Sequence, residues 1–194
     1  MMCPALFFYT QLSNSFSCCI FAQNILFMAE NKLHIDMAEL DSAWEKGAAA
    51  YIRFITDSYL EALGGGLNAE NMEMLNADQH TLLAYRFVLD EVMEGGFIQL
   101  LHNGYGPYIL ENPFPYTMKQ WGLRDFSKLL YEVKKLYHIH REELEADMDE
   151  ETFMALYEKL EKLNDAGDDF LDDFQEETTP YIAQYVRDNI ERFI

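Results

Sequence analysis

Residues 142–177 read EELEADMDEETFMALYEKLEKLNDAGDDFLDDFQEE. They hold 16 of the chain's 34 carboxylates and two lysines, so this stretch carries a net −14 of the formal −20. Phenylalanine and leucine recur through it at intervals of three and four residues, a periodicity that a disordered acidic tail would lack. The stretch therefore predicts folded helices that present a dense negative surface on one side.

The composition of the whole chain is that of a globular protein. Its 194 residues are 49% hydrophobic and 14% aromatic, which is too apolar for disorder and long enough for one domain with a substantial core. The sequence pI is about 4.4. This charge disfavours direct binding to DNA, RNA or an anionic membrane surface.

Residues 1–29 differ from the rest because they contain no Asp, Glu, Lys or Arg and hold all three cysteines, Cys3, Cys18 and Cys19. They lack the positive first region of a secretory signal, and polar residues interrupt their apolar runs, which is unlike a membrane span. The preferred interpretation is that translation begins at Met28 and that this extension is a start-site artefact; a weak export signal is the second. Residues 30–194 are then a single helical domain without cysteine, predicted to be cytoplasmic and to have no disulfide or thiolate chemistry.

Apolar residues at helical spacing also organise the first half of the domain. A first stripe comprises Trp44, Ala48, Tyr51, Ile52, Ile55 and Tyr59, and a second comprises Leu82, Tyr85, Leu89, Val92 and Met93. Three glycines at 64–66 end the first helix, Asn76 or Asp78 caps the second, and Gly95-Gly96 interrupts it. The glycines and prolines of residues 103–115 predict a loop.

The second half continues the pattern from about Thr117. One predicted stripe comprises Phe126, Leu129, Leu130, Val133, Leu136 and Tyr137; the next, capped by Asp149, comprises Phe153, Leu156, Tyr157, Leu160 and Leu163. A break is expected near residues 165–167, and Thr179-Pro180 is typical of the start of a last helix. Sustained alternation typical of strands is absent from the sequence. The fold class predicted is an all-α, single-domain bundle of six to eight helices.

The sequence offers little support for catalysis. His138 and His140 lie two residues apart on a predicted helix and point to different sides, which disfavours a shared metal ion. No zinc-protease, di-iron, phosphate-loop or nucleophile-elbow motif is present. We therefore expect no catalytic residue, metal site or cofactor.

The acidic stretch itself is the candidate site. Charges on successive helical turns recur about every 5 to 6 Å, a scale comparable to phosphates along DNA, whose duplex carries one charge per roughly 1.7 Å. Two such helices side by side would attract a basic protein. The candidate partner-binding residues are Glu142, Glu143, Glu145, Asp147, Asp165, Asp168, Asp169, Asp172, Asp173 and Glu176.

A resemblance to a known family gives this surface a specific meaning. Gly95-Gly96-Phe97, Gln99 and Asn103 resemble the Gly-Gly-Phe-x-Gln-x-x-x-Asn signature of a bacterial family of acidic all-α proteins, which is largely of unknown function and includes a neisserial DNA-mimic protein. Weaker similarity extends from Trp44 to the C-terminus, and Glu94 replaces a usual asparagine. The resemblance implies a dimeric, non-enzymatic protein whose acidic surface occupies the DNA site of a basic partner such as a transcription factor. The signature residues would then determine the fold.

Three other hypotheses remain open at this stage. An immunity-type inhibitor of a basic toxin would use the same electrostatics on a different partner. A plain structural domain would keep its charge for solubility. A metal-dependent enzyme would use His138, His140 and nearby carboxylates.

Overall fold

The computed structural model describes residue 33 and residues 35–194, apart from the side chain of Asp173. The predicted N-terminal extension, its three cysteines, the start at Met28 and the boundary at residue 30 all lie outside this part. The all-α fold class is confirmed, since the described residues form helices joined by short turns. The helices are α1 (Met37–Glu45), α2 (Ala48–Ala62), α3 (Ala77–His102), α4 (Gly106–Leu110), α5 (Phe114–Gln120), α6 (Arg124–Leu144), α7 (Glu150–Lys159), α8 (Glu161–Asp169) and α9 (Gln175–Asp188). A π-helical turn, Phe170–Phe174, joins α8 to α9 without interrupting the helical path.

Helix α3 is the centre of the fold. Four consecutive residues, Leu82 to Tyr85, are fully buried, so the helix is surrounded by neighbours on every side there. Asn76 caps it: the side chain accepts hydrogen bonds from the backbone N–H groups of Asp78 (2.9 Å) and Gln79 (3.0 Å), and the Gln79 side chain accepts one in return. Of the two predicted caps, Asn76 is therefore the one used, in a capping box.

The Gly95-Gly96 pair bends α3 where α8 crosses it. Gly96 has φ +67° and ψ −170°, a conformation essentially restricted to glycine. A Cβ atom at Gly167 on α8 would lie 3.2 Å from the Gly96 Cα, so the two backbones approach more closely than side chains would allow. The Tyr157 hydroxyl donates to the Gly95 carbonyl over 2.9 Å. The predicted interruption at Gly95-Gly96 is thus the point at which α8 crosses α3.

The predicted loop at 103–115 is wrong, because this segment contains α4 and the start of α5. Pro107 and Pro115 lie in the first turns of α4 and α5. A backbone N–H in the first turn of a helix has no acceptor within that helix, so proline, which lacks this N–H, loses no hydrogen bond there. The Asn112 side chain accepts from the Phe114 backbone N–H (2.8 Å) and terminates the turn between them. Proline therefore initiates helices in this segment.

The predicted break at residues 165–167 and the predicted helix start at Thr179-Pro180 are also wrong. The helix breaks earlier, at Leu160 (φ −107°, ψ 47°), and Gly167 is a buried helical residue because it packs on Gly96. Pro180 lies inside α9. Thr179 is buried and shares a 2.7 Å hydrogen bond with the Tyr85 hydroxyl, which ties this part of α9 to α3.

Two smaller departures concern the predicted stripes. The stripe from Trp44 to Tyr59 is divided between α1 and α2 by Gly47, whose φ of +112° ends the first helix. The Trp44 ring nevertheless meets the Tyr51 ring edge-on at 5.1 Å across the turn. Met93, predicted to face inward, is 53% exposed.

The core is aromatic where α3, α6 and the π-helical turn meet. The Phe170 ring lies 6.3 Å from Phe97 and 5.5 Å from Phe126, and all three side chains are buried. The C-terminus is fastened to the start of α3 through paired hydrogen bonds from the Arg192 guanidinium to the Asp78 carboxylate (2.8 and 2.9 Å). Within the described part of the chain, no helix has both the length and the apolarity needed to cross a bilayer.

Candidate functional site

The largest acidic feature is the helical path of α8, the π-helical turn and α9, which we call the acidic rod (residues 161–188). Its inner face is apolar and buried, with Leu163, Ala166, Gly167 and Phe170 against the core. Its outer face carries exposed carboxylates over the first 17 residues. The exposed members are Glu161, Asp165, Asp168, Asp169, Asp172, Glu176 and Glu177. The rod is therefore held by one face and charged on the other.

Five of these residues form a stripe along the rod, which we call the acidic stripe. Glu161, Asp165, Asp168, Asp172 and Glu176 follow one another at intervals of three or four residues, which places them on one side of a helix. Fifteen residues separate the two ends, so the stripe is about 22 Å long at 1.5 Å per residue. Among the described residues, no Lys, Arg or His lies within salt-bridge distance of a stripe carboxylate.

The charge density of the rod is comparable to that of a nucleic-acid strand. Residues 161–177 contain eight carboxylates and one lysine, a net −7 over about 25 Å of helix. This is about one charge per 3.6 Å, against about 3.4 Å along one strand of B-DNA. Like charges one helical turn apart cost about 0.2–0.5 kcal/mol per pair, so folding alone does not favour this arrangement.

The predicted site residues around the end of α6 differ from the rod, because two of them are paired. Glu143 forms an ion pair with Lys159, and Glu145 pairs with Arg141 at 3.1 Å. The Tyr137 hydroxyl also donates to Glu145, and this hydrogen bond, followed by the effect of Arg141, lowers the pKa of the carboxyl. The negative charge of these two residues is therefore largely compensated locally.

The remaining predicted site residues lie in two places, near the turn between α6 and α7 and on the rod. Glu142 and Asp147 are exposed near the turn between α6 and α7, where Asp149 caps α7 by accepting from the Thr152 backbone N–H (2.9 Å). Hydrogen bonding to the Thr152 side chain, followed by that to its backbone N–H, lowers the pKa of Asp149, and the backbone contact confirms the predicted cap. Asp165, Asp168, Asp169, Asp172 and Glu176 lie together on the rod, whereas the side chain of Asp173 is not described. The structure thus brings half of the predicted set onto one surface.

Glu161 was missed by sequence reasoning, although it begins the stripe. Its position four residues before Asp165 is the signal that could have found it. The sequence interpretation instead joined the α7 stripe to Leu163 and overlooked the helix boundary at Leu160. The negative charge of Glu161, at the first position of α8, also interacts favourably with the positive end of the helix dipole.

The histidines considered for a metal site are separate from this surface. His138 is exposed, and His140 lies 4.0 Å from Glu143, which is itself engaged by Lys159. Within residues 35–194, no group of three or more His, Cys, Asp and Glu side chains is arranged to hold a metal ion.

Residues 73–189 match the family model for DMP19-like proteins. The chain belongs to the DMP19-like family. It is 30% identical over 145 residues to "DNA mimic protein DMP19" of Neisseria meningitidis serogroup B (strain ATCC BAA-335 / MC58), an alignment that covers 75% of this chain and 87% of the relative. The family match runs from just before α3 to just after α9 and so includes the whole acidic rod.

The residues that carry the resemblance noted in the sequence lie in and just after the bend of α3. Gly95 and Gly96 form the bend itself, and Phe97 is fully buried against Phe170. The Asn103 side chain donates to Glu91 (2.7 Å), and the Gln99 side chain donates to Glu94 over 3.3 Å. The side chain of Glu94 therefore holds the amide of Gln99 in place after the bend.

Proposed function

We propose that this chain is a non-enzymatic DNA mimic that presents its acidic rod to the DNA-contacting surface of a basic protein such as a transcription factor. The observation that carries the proposal is the exposed acidic stripe, which is unpaired among the described residues and lies on a rod whose net charge per unit length is close to that of one DNA strand. The proposal is supported by the 30% identity to a relative named as a DNA mimic protein. The family match over residues 73–189 includes the rod.

The rod suits this role because its charges are held in place before binding. Gly167 against Gly96 and Phe170 between Phe97 and Phe126 attach the inner face to α3 and α6. A preorganised array loses little conformational entropy when it meets a partner. The field of a net −7 segment also steers a basic protein over distances of about a Debye length, near 8–10 Å at physiological salt. Binding should accordingly weaken as salt rises.

The test compares two variants of equal net charge. The stripe variant combines Asp165→Asn, Asp168→Asn, Asp172→Asn and Glu176→Gln. The control variant combines Glu39→Gln, Asp41→Asn, Glu45→Gln and Glu61→Gln, which are exposed on α1 and α2 and form no ion pair in the described structure. Each protein is added to duplex DNA on a solid support that has been loaded with host DNA-binding proteins, and the released proteins are identified.

We expect the wild-type chain and the control variant to release the same DNA-binding protein, and the stripe variant to release none. Relief of like-charge repulsion should leave the stripe variant as stable as the wild type or slightly more stable. Equal release by both variants would mean that bulk charge, and not the rod, is responsible. Release of a nuclease whose activity the chain inhibits would favour the immunity alternative. Release of no protein would favour the hypothesis that the charge serves only solubility.

The family resemblance also implies a homodimer, which we include in the proposal. Two copies would present two acidic rods to a partner that is itself two-fold symmetric, as many DNA-binding proteins are. Analytical ultracentrifugation of the chain at low and physiological salt tests this element separately. A single species of one-chain mass at every concentration would remove the dimer and leave the rod hypothesis intact.

A further inference from the structure

A cavity of about 1070 Å³ lies away from the acidic rod, between residues 65–81 and residues 103–114. Its volume is slightly above the usual range for small-molecule sites, about 300–1,000 Å³. The floor is formed by the first turns of α3, and the walls are the glycine-rich turn after α2 and the short helix α4.

One wall is a continuous series of aromatic rings. Tyr105 lies 4.9 Å from Phe87, Phe87 lies 5.9 Å from Tyr108, and Tyr108 lies 5.9 Å from His80, measured between ring centroids. All four residues line the cavity and are partly exposed to it. Such rings offer flat apolar contact, and their faces attract cations.

The cavity is built from fixed parts. The Asn71 amide donates to the carbonyls of Leu63 (2.9 Å) and Gly66 (2.7 Å) and so holds the glycine-rich turn in place. His80 bridges the Met72 carbonyl (2.8 Å) and the Tyr108 hydroxyl (2.9 Å). A carbonyl can only accept, so Nε2 of His80 carries a proton and links the two walls. These hydrogen bonds hold both walls of the cavity in place.

The electrostatics of the cavity select the sign of a ligand's charge. Of the lining residues, Glu111 is the sole carboxylate, and it is ion-paired with Arg141 (2.8 Å), which lies outside the lining; the lining itself contains no Lys or Arg. Burial, together with the charges of Glu91 and Asp90, raises the pKa of the Tyr105 hydroxyl. That hydroxyl has no hydrogen-bond partner among the described residues and is available to a ligand. An anion would thus find no Lys or Arg in the lining to pair with, whereas a cation would be attracted by the faces of the aromatic rings.

We propose that this cavity binds a small amphipathic organic cation: a flat aromatic or apolar body, which lies against the wall of rings, carrying an amine. The amine is directed toward the ring faces and the Tyr105 hydroxyl. This site is independent of the acidic rod, and neither the wall of rings nor the Asn71 and His80 contacts serve the proposed DNA mimicry.

The experiment compares tryptamine with indole-3-acetate, which share a ring system and carry opposite charges. Binding to the full chain is measured by calorimetry and by amide chemical shifts in NMR spectra. Ala69→Trp fills the cavity from its exposed edge, and Ala155→Trp is the matched control at an exposed position on α7.

We expect saturable binding of tryptamine, with shifts confined to residues 65–81 and 103–114, and binding of indole-3-acetate that is at least about tenfold weaker. Ala69→Trp should remove tryptamine binding, and Ala155→Trp should retain it. Equal affinity for both compounds, shifts at residues 161–177 instead of the cavity, or no saturable binding of tryptamine at millimolar concentration would each overturn the proposal. The wild-type comparison stands even if Ala69→Trp disturbs folding.

Discussion

Substitution of Gly96 by alanine tests whether the bend in α3 is set by backbone conformation. Gly96 has φ +67° and ψ −170°, a region that an L-residue enters at a cost of about 1–3 kcal/mol. A Cβ atom there would lie 4.0 Å from the Gly167 Cα, which is ordinary contact, so no steric penalty is added. We therefore expect Gly96→Ala to lower the free energy of unfolding by about 2 kcal/mol, entirely through the backbone.

The measurement is urea-induced unfolding followed by circular dichroism, with Gly66→Ala as the control. Gly66 has no positive φ, and a Cβ there would meet nothing within 4 Å. Its replacement should change the free energy of unfolding by less than about 0.5 kcal/mol. A loss below about 0.5 kcal/mol in Gly96→Ala would refute the reasoning, because the bend would then tolerate a side chain.

Three further predictions concern hydrogen bonds around the rod and the turn before it. Tyr157→Phe leaves the bent carbonyl of α3 without its donor and should cost about 1 kcal/mol, measured by the same unfolding assay. Asp149→Ala removes the cap on the Thr152 N–H and should cost about 1 kcal/mol, whereas Asp149→Asn should keep most of the stability. The pKa of Glu145 is held below its ordinary value of 4.5, chiefly by the Tyr137 hydroxyl. The contribution of the ionised Glu145 side chain to the free energy of unfolding is thus present above pH 4.5 and lost as the pH falls through the folded pKa. The difference in the free energy of unfolding between wild type and Glu145→Gln should therefore shrink on acidification. A difference independent of pH would contradict this.

The parts of the fold that sequence alone predicted are those set by local chemistry. The caps at Asn76 and Asp149 are examples, because a short polar side chain beside the first turn satisfies backbone N–H groups wherever it occurs. The buried stripe of α6 is another, since amphipathic spacing needs no knowledge of the neighbour. These features depend on residues within about one turn of each other.

Two of the wrong predictions share a different cause, which is contact between distant residues. The sequence predicts a helix break at residues 165–167, but Gly167 lies within a helix because Gly96, 71 positions earlier in the chain, needs a partner without a side chain. The sequence also predicts a helix start at Thr179-Pro180, but Thr179 is held against Tyr85 inside α9. Local preference was overridden at both positions by packing on α3.

The acidic surface shows the same division between local and distant information. A count of the carboxylates in residues 142–177 gives Glu143 and Asp168 equal weight. In the structure, Lys159, 16 residues further along the chain, neutralises Glu143, whereas no cation in the described part neutralises Asp168. The candidate site therefore narrows from the whole stretch to the rod. Because the residues that fix the rod face the core and the charges face outward, substitutions on the two faces should separate stability from binding. A variant that loses partner binding at full stability would place function on the outer face alone.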